Sequence, residues 1–514
     1  MDTLICAGGS GARVLESVLH LCAVGLGPPR LRTFVIDSDG TNGSLDRTTN
    51  LVGAYVACQK IFGKGPFFRT ELDLLEGSQK LRVWSPVVGK QHFRDVLNYD
   101  GLSPQQREIV ELLFTDDELK MPMDVGFRGH PALGAAALSL LPLFRNDPKD
   151  PLWNQVATDL QQDVTNGEAH VVIAGSVFGG TGASAIYPLV RFLRSPDLLA
   201  HNSEKLKIGA IALAPYFQFS AADAQARGAQ VDPGQAARSE EFPLASRSAA
   251  EFYDYLLKHN DWGLNAMYWV GDDDPVDVAY SWGGSAQNNP AHFVELLSAV
   301  ACLDFFRAPS IRGTFYYSGP RQFAAMPGKN MLTWADLPLS GLDRKEVRNA
   351  IHCFHLAGMA HLGFFSRLFP DSRLTDRPYL VPWYRDYFAN RPGGLNSDAA
   401  KEAIKPLTDY FSNRYFPWWG QIQDDDGRVR LLNRTAWAEG GTGEGYVQLS
   451  QIGAVLFEDG TSPPKQDMDS FFDWTVKVAK NSPANAEPAS RYVSILASAA
   501  ARFVGARHGD RAEE

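Results

Sequence analysis

The chain has 514 residues, longer than one ordinary domain, and this length predicts two or three domains. Hydrophobic residues make up 45% and charged residues 21%, which is close to the globular average and excludes wholesale disorder. The 49 basic and 59 acidic residues give a net charge of −10, which argues against a general nucleic-acid or anionic-membrane surface but leaves room for a local basic groove.

The first residues lack the basic region and the long apolar run of a signal peptide. No apolar stretch approaches the roughly 20 residues that a membrane-spanning helix needs. The five cysteines form no CxxC pair, and their odd number favours reduced, buried thiols. We therefore expect a cytoplasmic protein without a membrane span.

Apolar segments alternate with helical patterns through the first 300 residues, which predicts an α/β fold with a parallel sheet covered on both faces. The segments lack polar alternation, as is typical of parallel strands buried on both sides. The expected strands lie at residues 3–7, 32–36, 171–174, 208–214 and 266–270. A long buried helix is expected at 290–306.

We place a domain boundary after this buried helix, between a first domain at 1–306 and a second domain at 307–514. The second domain should be mainly helical, of α+β type. Its helical patterns lie at 345–368, 398–416, 468–480 and 490–506, and only 314–318 and 445–457 are strand-like. Residues 220–246, rich in Ala, Gln, Gly and Ser, are expected to form a surface excursion from the first domain.

A first glycine cluster, Gly8, Gly9, Ser10 and Gly11, directly follows the first strand and opens a helix. Glycines let the backbone approach a phosphate, and a helix N-terminus supplies free N–H groups. The dinucleotide-binding pattern GxGxxG is incomplete here because its third glycine is missing. Taken alone, the cluster fits a ligand-free turn equally well.

The second strand ends in Asp37, Ser38 and Asp39. Acids at the carboxyl end of such a strand suit a ribose hydroxyl or water held on Mg²⁺, and Asp39 is the candidate metal residue. The alternative is a turn in which Asp37 or Asp39 caps the following segment.

A second cluster spans residues 126–134 and includes Gly126, Arg128, Gly129 and His130. Pro131 suits the first turn of the helix that follows. The loop amides could reach a terminal phosphate that Arg128 would neutralise, and a plain loop is the alternative.

The third cluster joins an apolar strand to a helix and contains Ser176, Gly179, Gly180, Thr181 and Gly182. Consecutive N–H groups of such a turn form an anion-binding nest, to which the threonine hydroxyl adds a donor. A ligand-free glycine turn is the alternative. The sequence GxxxxGK[ST] does not occur in the chain, which excludes a P-loop NTPase.

Taken in order, these segments resemble the tubulin/FtsZ superfamily of GTPases. Residues 175–182 are similar to the tubulin signature loop, with Phe178 in place of its first glycine. The run His-Pro-Ala-Leu-Gly at 130–134 resembles the Asn-Pro-Glu-Val-Gly of FtsZ, and residues 211–217 resemble the next strand and its proline-containing turn. The ordered set of elements is more specific than any single motif.

This resemblance implies a Rossmann-like GTPase domain of tubulin/FtsZ type at 1–306, with GTP or GDP and Mg²⁺ as cofactors. Residues 8–11 and 179–182 would hold the α- and β-phosphates, and residues 126–134 would sense the γ-phosphate. Base recognition near the start of the central helix would fall to Asn288 and His292. The family usually has Asn or Asp where His292 stands, so the identity of the base stays open.

Catalysis in this family involves a loop after the central helix that reaches the nucleotide of the next subunit. Residues 331–338 are similar to that loop, with Asp336 matching its second acid and Thr333 and Met331 replacing its first acid and its asparagine. The resemblance implies a weak GTPase that associates head to tail. The alternatives are a nucleotide-dependent scaffold with little or no hydrolysis and, less favoured, a dinucleotide oxidoreductase.

The likeness weakens after residue 345, where the chain is closer in outline to divergent bacterial tubulin-like proteins and could hold a site for a protein partner. Three further groups have structural explanations. The acids at 272–274 are expected in a solvated turn near the ribose rather than at a metal. His352, Cys353 and His355 are expected to pack in a helix, and the aromatic run 415–419 in a core.

Overall fold

A computed structural model of the chain describes most of its length. The described residues are 1–40, 42–63, 65–74, 80–123, 127, 129–144, 151–196, 198–199, 201, 203–219, 239–259, 263–279, 281, 284–308, 312–317, 332–362, 398–423, 428–432, 467–481 and 487–507. Residues 220–238 of the surface excursion expected at 220–246 lie outside these ranges. The strand-like segment expected at 445–457 also lies outside them.

The predicted α/β class is confirmed by a central parallel sheet with helices on both faces. The strands are β1 (Asp2–Ala7), β2 (Arg30–Ile36), β3 (Glu71–Asp73), β4 (Arg82–Trp84), β5 (Ala169–Ser176), β6 (Leu206–Leu213), β7 (Phe217–Gln218), β8 (Ala266–Val270), β9 (Val276–Asp277) and β10 (Gly313–Tyr317). The main sheet has the order β10-β8-β6-β5-β1-β2-β3, with β4 also paired to β2, while β7 and β9 form a separate pair. This arrangement is compatible with a Rossmann-like domain.

The described helices include those that the sequence predicts, except that residues 363–368 of the helix expected at 345–368 lie outside the described ranges. They are α1 (Gly8–Val24), α2 (Gly43–Phe62), α3 (Phe93–Val96), α4 (Pro104–Leu113), α5 (Asp116–Leu119), α6 (Pro131–Leu138), α7 (Leu141–Phe144), α8 (Leu152–Asn166), α9 (Thr181–Leu193), α10 (Phe242–Lys258), α11 (Phe293–Arg307), α12 (Arg344–Ala360), α13 (Asp398–Tyr410), α14 (Phe416–Ile422), α15 (Asp467–Asn481) and α16 (Pro488–Arg507). A π-helical turn, Phe411–Tyr415, joins α13 to α14. We call α11 the central helix.

The sheet is buried on both faces, which explains why its strands are apolar throughout. Successive residues of β2 show this, because Val35 packs into the cluster beneath α1, α2 and the central helix, while Ile36 packs into the cluster beneath α8 and α9. Each apolar side chain that is removed from water in this way stabilises the fold by about 1.5–3 kcal/mol.

The sheet continues past the boundary drawn at residue 306. β10, which was expected to belong to the second domain, pairs in parallel with β8 and forms an edge of the main sheet. The later helices share a core with the first region. The Tyr410 hydroxyl and Nδ1 of His20 in α1 share a hydrogen bond of 2.9 Å. The ring of Phe354 packs edge-on against the rings of Phe67 and Phe68.

The packed residues expected in the second region are confirmed. His352 and His355 are fully buried in α12, Cys353 packs against the same core, and Tyr415 and Trp419 are fully buried. All five cysteines are free thiols. Within the described ranges, none of the helices is long and apolar enough to cross a membrane.

Candidate functional site

Three strands that stand side by side bring the predicted loops to one edge of the sheet. β1 lies between β2 and β5, and its last residue, Ala7, is in register with Ile36 on one side and Gly175 on the other. The turns that follow these strands therefore meet at the carboxyl edge, where open parallel sheets bind their ligands.

The first and third glycine clusters touch. Gly8 has a positive φ of 70°, and a Cβ atom built on it would lie 3.3 Å from the backbone nitrogen of Gly182. A Cβ on Gly182 would lie 2.7 Å from the backbone nitrogen of Ser176, and one on Gly11 would lie 2.9 Å from the carbonyl oxygen of Ala174. The starts of α1 and α9 are thus in tight contact, and the positive φ of Gly8 further disfavours a side chain at that position.

The second cluster lies against the third. A Cβ atom on Gly180 would come within 3.0 Å of the backbone nitrogen of Gly129, whose own φ is 84°. Gly134, one turn into α6, packs against Ser184 of α9. The start of α6 therefore joins the starts of α1 and α9, although Gly126 and Arg128 lie outside the described residues.

The three helix starts have neither a side-chain cap nor an acidic residue in the first turn. The residues before α1, α6 and α9 are Ala7, His130 and Gly180. Two neighbouring helices differ, because Asn42 caps α2 and His292 caps the central helix. Uncapped N–H groups and the positive ends of helix dipoles make this edge suited to an anion.

The acidic end of β2 adjoins this edge. Asp37 accepts a hydrogen bond from the backbone nitrogen of Asp39 at 3.0 Å through Oδ1, while its buried Oδ2 has no hydrogen-bond partner. Burial raises the pKa of Asp37 to about 7. Asp39 instead accepts a hydrogen bond from the backbone nitrogen of Gly284 at 2.6 Å. The turn expected as an alternative therefore forms, but it leaves one carboxylate oxygen of Asp37 unsatisfied.

The acids at the end of β2 are the described residues to consider for Mg²⁺ at this edge. Within the described ranges, His, Cys, Asp and Glu form no group of three or more that could hold a metal. Mg²⁺ is commonly bound through one or two carboxylates together with phosphate oxygens and water. Asp37 fits such a role through its unsatisfied Oδ2, whereas Asp39 was the residue predicted for it.

The two residues expected to recognise the nucleotide base, Asn288 and His292, make contacts with other residues of the protein. Asn288 accepts a hydrogen bond from Arg47 at 2.9 Å, and Arg47 also forms an ion pair with Glu16 at 2.7 Å. His292 accepts the backbone N–H of Val294 through Nδ1 at 3.3 Å. Burial lowers the pKa of His292 to about 3, assisted by repulsion from nearby arginines, so its ring is neutral. His292 therefore acts as the cap at the start of the central helix, which is the alternative role considered for it.

A buried polar cluster joins α1 to the central helix. The guanidinium of Arg13 lies 2.6 Å from Glu295, and the Tyr216 hydroxyl donates to the same carboxylate at 2.8 Å. Arg13 also packs over the ring of Phe217. This cluster was not predicted, although the placement of charged residues inside apolar helices was a signal for it.

Asp272 belongs to a second buried pair. Arg428 donates a hydrogen bond to its carboxylate and another to the backbone carbonyl of Asp274 at 3.1 Å. The same guanidinium lies over the ring of Phe293 at the start of the central helix. Burial raises the pKa of Asp272, and the arginine opposes that shift. The expectation of a solvated turn was wrong for Asp272, since the residue anchors the second region to the sheet edge.

Asp336 caps its own short helix. Its carboxylate accepts hydrogen bonds from the backbone nitrogen of Thr333 at 2.9 Å and from the Thr333 hydroxyl at 2.8 Å. Leu332, which precedes Thr333, forms an isolated β-bridge with Val429, next to Arg428. Met331 lies outside the described residues. Thr333 is thus the partner of Asp336.

The structure brings together most of the predicted site residues that it describes. The residues at the shared edge are Gly8, Gly9, Ser10, Gly11, Asp37, Asp39, Gly129, His130, Ser176, Gly179, Gly180, Thr181 and Gly182. Asn288 lies beside this edge, because a Cβ atom on Gly43, at the start of α2, would stand 3.2 Å from the Cβ of Asn288. Asn288, His292 and Asp336 serve in local contacts and caps. No protein-family model matches this chain, and no curated protein matches it significantly.

Proposed function

We propose that this chain binds the polyphosphate of a nucleotide at the carboxyl edge of its sheet, as a GTP-binding protein of tubulin/FtsZ type. One observation carries the proposal: three uncapped helix starts meet at glycines whose close packing leaves little room for side chains. Backbone N–H groups arranged in this way bind phosphate without any basic side chain, in keeping with the acidic composition.

Each part of the site has a distinct role in this proposal. The turns at 8–11 and 179–182 donate N–H groups to the α- and β-phosphates, and the start of α6 lies beside them to receive the γ-phosphate. The unsatisfied oxygen of Asp37 accepts from a ribose hydroxyl or from water held on Mg²⁺. When bound, Mg²⁺ supplies neutralisation of the phosphate charge.

The sequence supplies the guanine and GTPase parts of the proposal through its resemblance to tubulin and FtsZ. In that arrangement Asp336 would orient a water molecule at the nucleotide of a second copy, bound head to tail. Phosphoryl transfer needs little more than such positioning and charge stabilisation.

A nucleotide-dependent scaffold with little hydrolysis is the second candidate function. It is favoured by the contacts of Asp336, whose carboxylate accepts two hydrogen bonds from Thr333. A carboxylate used as a cap is less available as a water ligand. In this candidate the nucleotide stabilises the sheet edge and is retained.

The class of ligand is tested by competition. Purified chain is titrated with fluorescent GTP in the presence of Mg²⁺, and unlabelled GTP, GDP, ATP and NAD⁺ are used as competitors. GTP and GDP are expected to displace the probe more strongly than ATP and NAD⁺. Preferential displacement by NAD⁺ would instead support the dinucleotide oxidoreductase.

Turnover measured against protein concentration separates the two candidates. A GTPase completed between subunits gives a rate per chain that rises with concentration, and Asp336→Ala abolishes that rate. Asp343→Ala is a matched control because Asp343 likewise caps a helix, accepting the backbone N–H of Lys345 at 3.0 Å. Retention of GTP without phosphate release indicates the scaffold. Turnover that is independent of concentration contradicts the shared site.

A further inference from the structure

Helix α4 carries an apolar face that the rest of the described chain leaves exposed. None of its residues is buried. Ile109 is 59% exposed, Leu112 85% and Leu113 65%. Their spacing of three and four residues places them together on one side of the helix, as a ridge rather than as scattered surface residues.

Helix α4 is held in place by a capping box and by hydrogen bonds on the face opposite the ridge. Ser103 and Gln106 form a capping box at its start, with Pro104 in the first turn. On the opposite face, Arg107 donates to the carbonyl oxygen of Asp100 at 2.7 Å, and Glu111 accepts a hydrogen bond from the Tyr99 hydroxyl. These contacts fix the ridge before any partner arrives, which lowers the entropy cost of binding.

The base of this unit packs inward. Phe114, directly after α4, meets the ring of Phe93 edge-on at 5.0 Å. Phe93 belongs to a core cluster that also contains Phe127 and Leu133, on either side of the second glycine turn. The ridge therefore faces away from the sheet on a unit whose other side supports that turn.

The segment that carries the ridge is acidic. Residues 104–120 contain five acids, one arginine and one lysine, a net charge of −3. Glu108 precedes Ile109 on α4, and the acids of 116–118 follow on the short helix α5, where Asp116 lies 3.5 Å from Lys120 and Glu118 accepts hydrogen bonds from Thr115. Such a segment repels anionic lipid and nucleic acid, and it also disfavours a second copy of the same face.

We propose that the α4 ridge binds an amphipathic helical segment of another protein whose apolar face is bordered by Lys or Arg. The partner's apolar side chains would cover Ile109, Leu112 and Leu113, and its basic residues would face Glu108 and the acids of 116–118. Amphipathic helices commonly contact each other through apolar residues three and four positions apart. The proposal does not depend on nucleotide binding.

The test uses the full chain and a defined probe. A labelled 18-residue helical peptide of Leu, Lys and Ala, with leucines on one face and lysines beside them, is titrated with the chain and followed by fluorescence anisotropy. The double variant Ile109→Ser/Leu112→Ser should weaken binding by about tenfold or more. Leu244→Ser is the matched control, since Leu244 is 68% exposed on a different helix, and it should leave binding unchanged.

Charge and specificity are tested with the same readout. Glu108→Lys should weaken binding at low salt, and raising the salt concentration should reduce the difference between Glu108→Lys and wild type. A peptide with glutamate in place of lysine should not bind. The proposal is overturned if the ridge variant binds the basic peptide as wild type does, if both peptides bind alike, or if sedimentation shows that the ridge instead pairs two copies of the chain.

Discussion

Gly8 and Gly182 lie so close that a Cβ atom on Gly8 would stand 3.3 Å from the backbone nitrogen of Gly182, although Gly8 follows β1 and Gly182 lies in the first turn of α9, after β5. The contact places the starts of α1 and α9 side by side, with the start of α6 against the second of them. Each turn limits the position of the other, and the proposed phosphate site would therefore need little rearrangement to bind its ligand.

Gly180→Ala should weaken nucleotide binding by about tenfold or more, equal to ~1.4 kcal/mol, because the added methyl group would contact the Gly129 turn at 3.0 Å. Gly53→Ala is the control: Gly53 lies within α2 with nothing within 4 Å of the position that the added methyl group would take, and the change should raise the free energy of unfolding by about 1 kcal/mol. Titration calorimetry and urea unfolding of both variants check these results. Equal nucleotide affinities would contradict the proposed phosphate contacts.

Asp37→Asn should stabilise the ligand-free chain at pH 8 while weakening binding of nucleotide with Mg²⁺. The pKa of Asp37 is raised to about 7, so the folded chain keeps a proton that the unfolded chain loses above pH 4. Its contribution to the free energy of unfolding therefore falls as pH rises from about 4 to 7. Removing the charge should recover roughly 1–3 kcal/mol at pH 8, measured by urea unfolding.

At pH 4, where the Asp37 carboxyl is protonated in the folded chain, the variant and wild type should differ little. A loss of stability at pH 8 would show that Asp37 is charged and satisfied without a ligand.

Arg428→Ala should lower the free energy of unfolding by about 3 kcal/mol, because it leaves the buried carboxylate of Asp272 without its partner. Arg247→Ala is the matched control. Arg247 pairs with Glu251 at 2.9 Å on an exposed helix face, where such pairs contribute about 0.3–0.5 kcal/mol. Thermal and urea unfolding compare the two variants. Similar small effects would mean that Arg428 does not anchor the second region.

Acidification should destabilise the chain through buried histidines. Burial lowers the pKa of His20, His292, His355 and His361 to about 3, so these rings stay neutral in the folded chain while the unfolded chain takes up protons below about pH 6.5. Stability should therefore fall as pH drops from 6.5 towards 3, by about 1.4 kcal/mol per pH unit for each fully contributing histidine. Asp37 acts in the opposite direction over part of this range.

Urea unfolding at half-unit pH steps measures the combined slope. A stability that is flat or rises on acidification below pH 6 would show that these rings accept protons in the folded chain.

Local pattern was enough to predict much of the sheet and the glycine turns. The five strands of the first region were recognisable because parallel strands buried on both faces are continuous apolar runs, as β5 and β6 show. Glycines between such a run and a helical pattern mark a tight turn into a helix, and this rule located the turns at Gly8 and at 179–182. Their mutual contact follows from β1 standing beside β5.

Contacts between residues far apart in the sequence could not be predicted from local sequence patterns. β10 has five residues, and only its pairing with β8 shows that it belongs to the main sheet. The pairs Arg13–Glu295 and Asp272–Arg428 join residues that the chain brings together only after folding. For the same reason the roles of Asp37 and Asp39 could not be separated, because the distinction rests on the backbone N–H of Gly284.

Hydrogen–deuterium exchange with and without GTP and Mg²⁺ is the sharpest test of phosphate binding at the sheet edge, because it reports on the backbone N–H groups themselves. We expect saturating GTP to slow exchange in peptides covering residues 8–13 and 179–184, with no comparable change in the α4 helix. Exchange that is unchanged in both glycine turns at saturating GTP, or slowed only elsewhere in the chain, would contradict the proposed site.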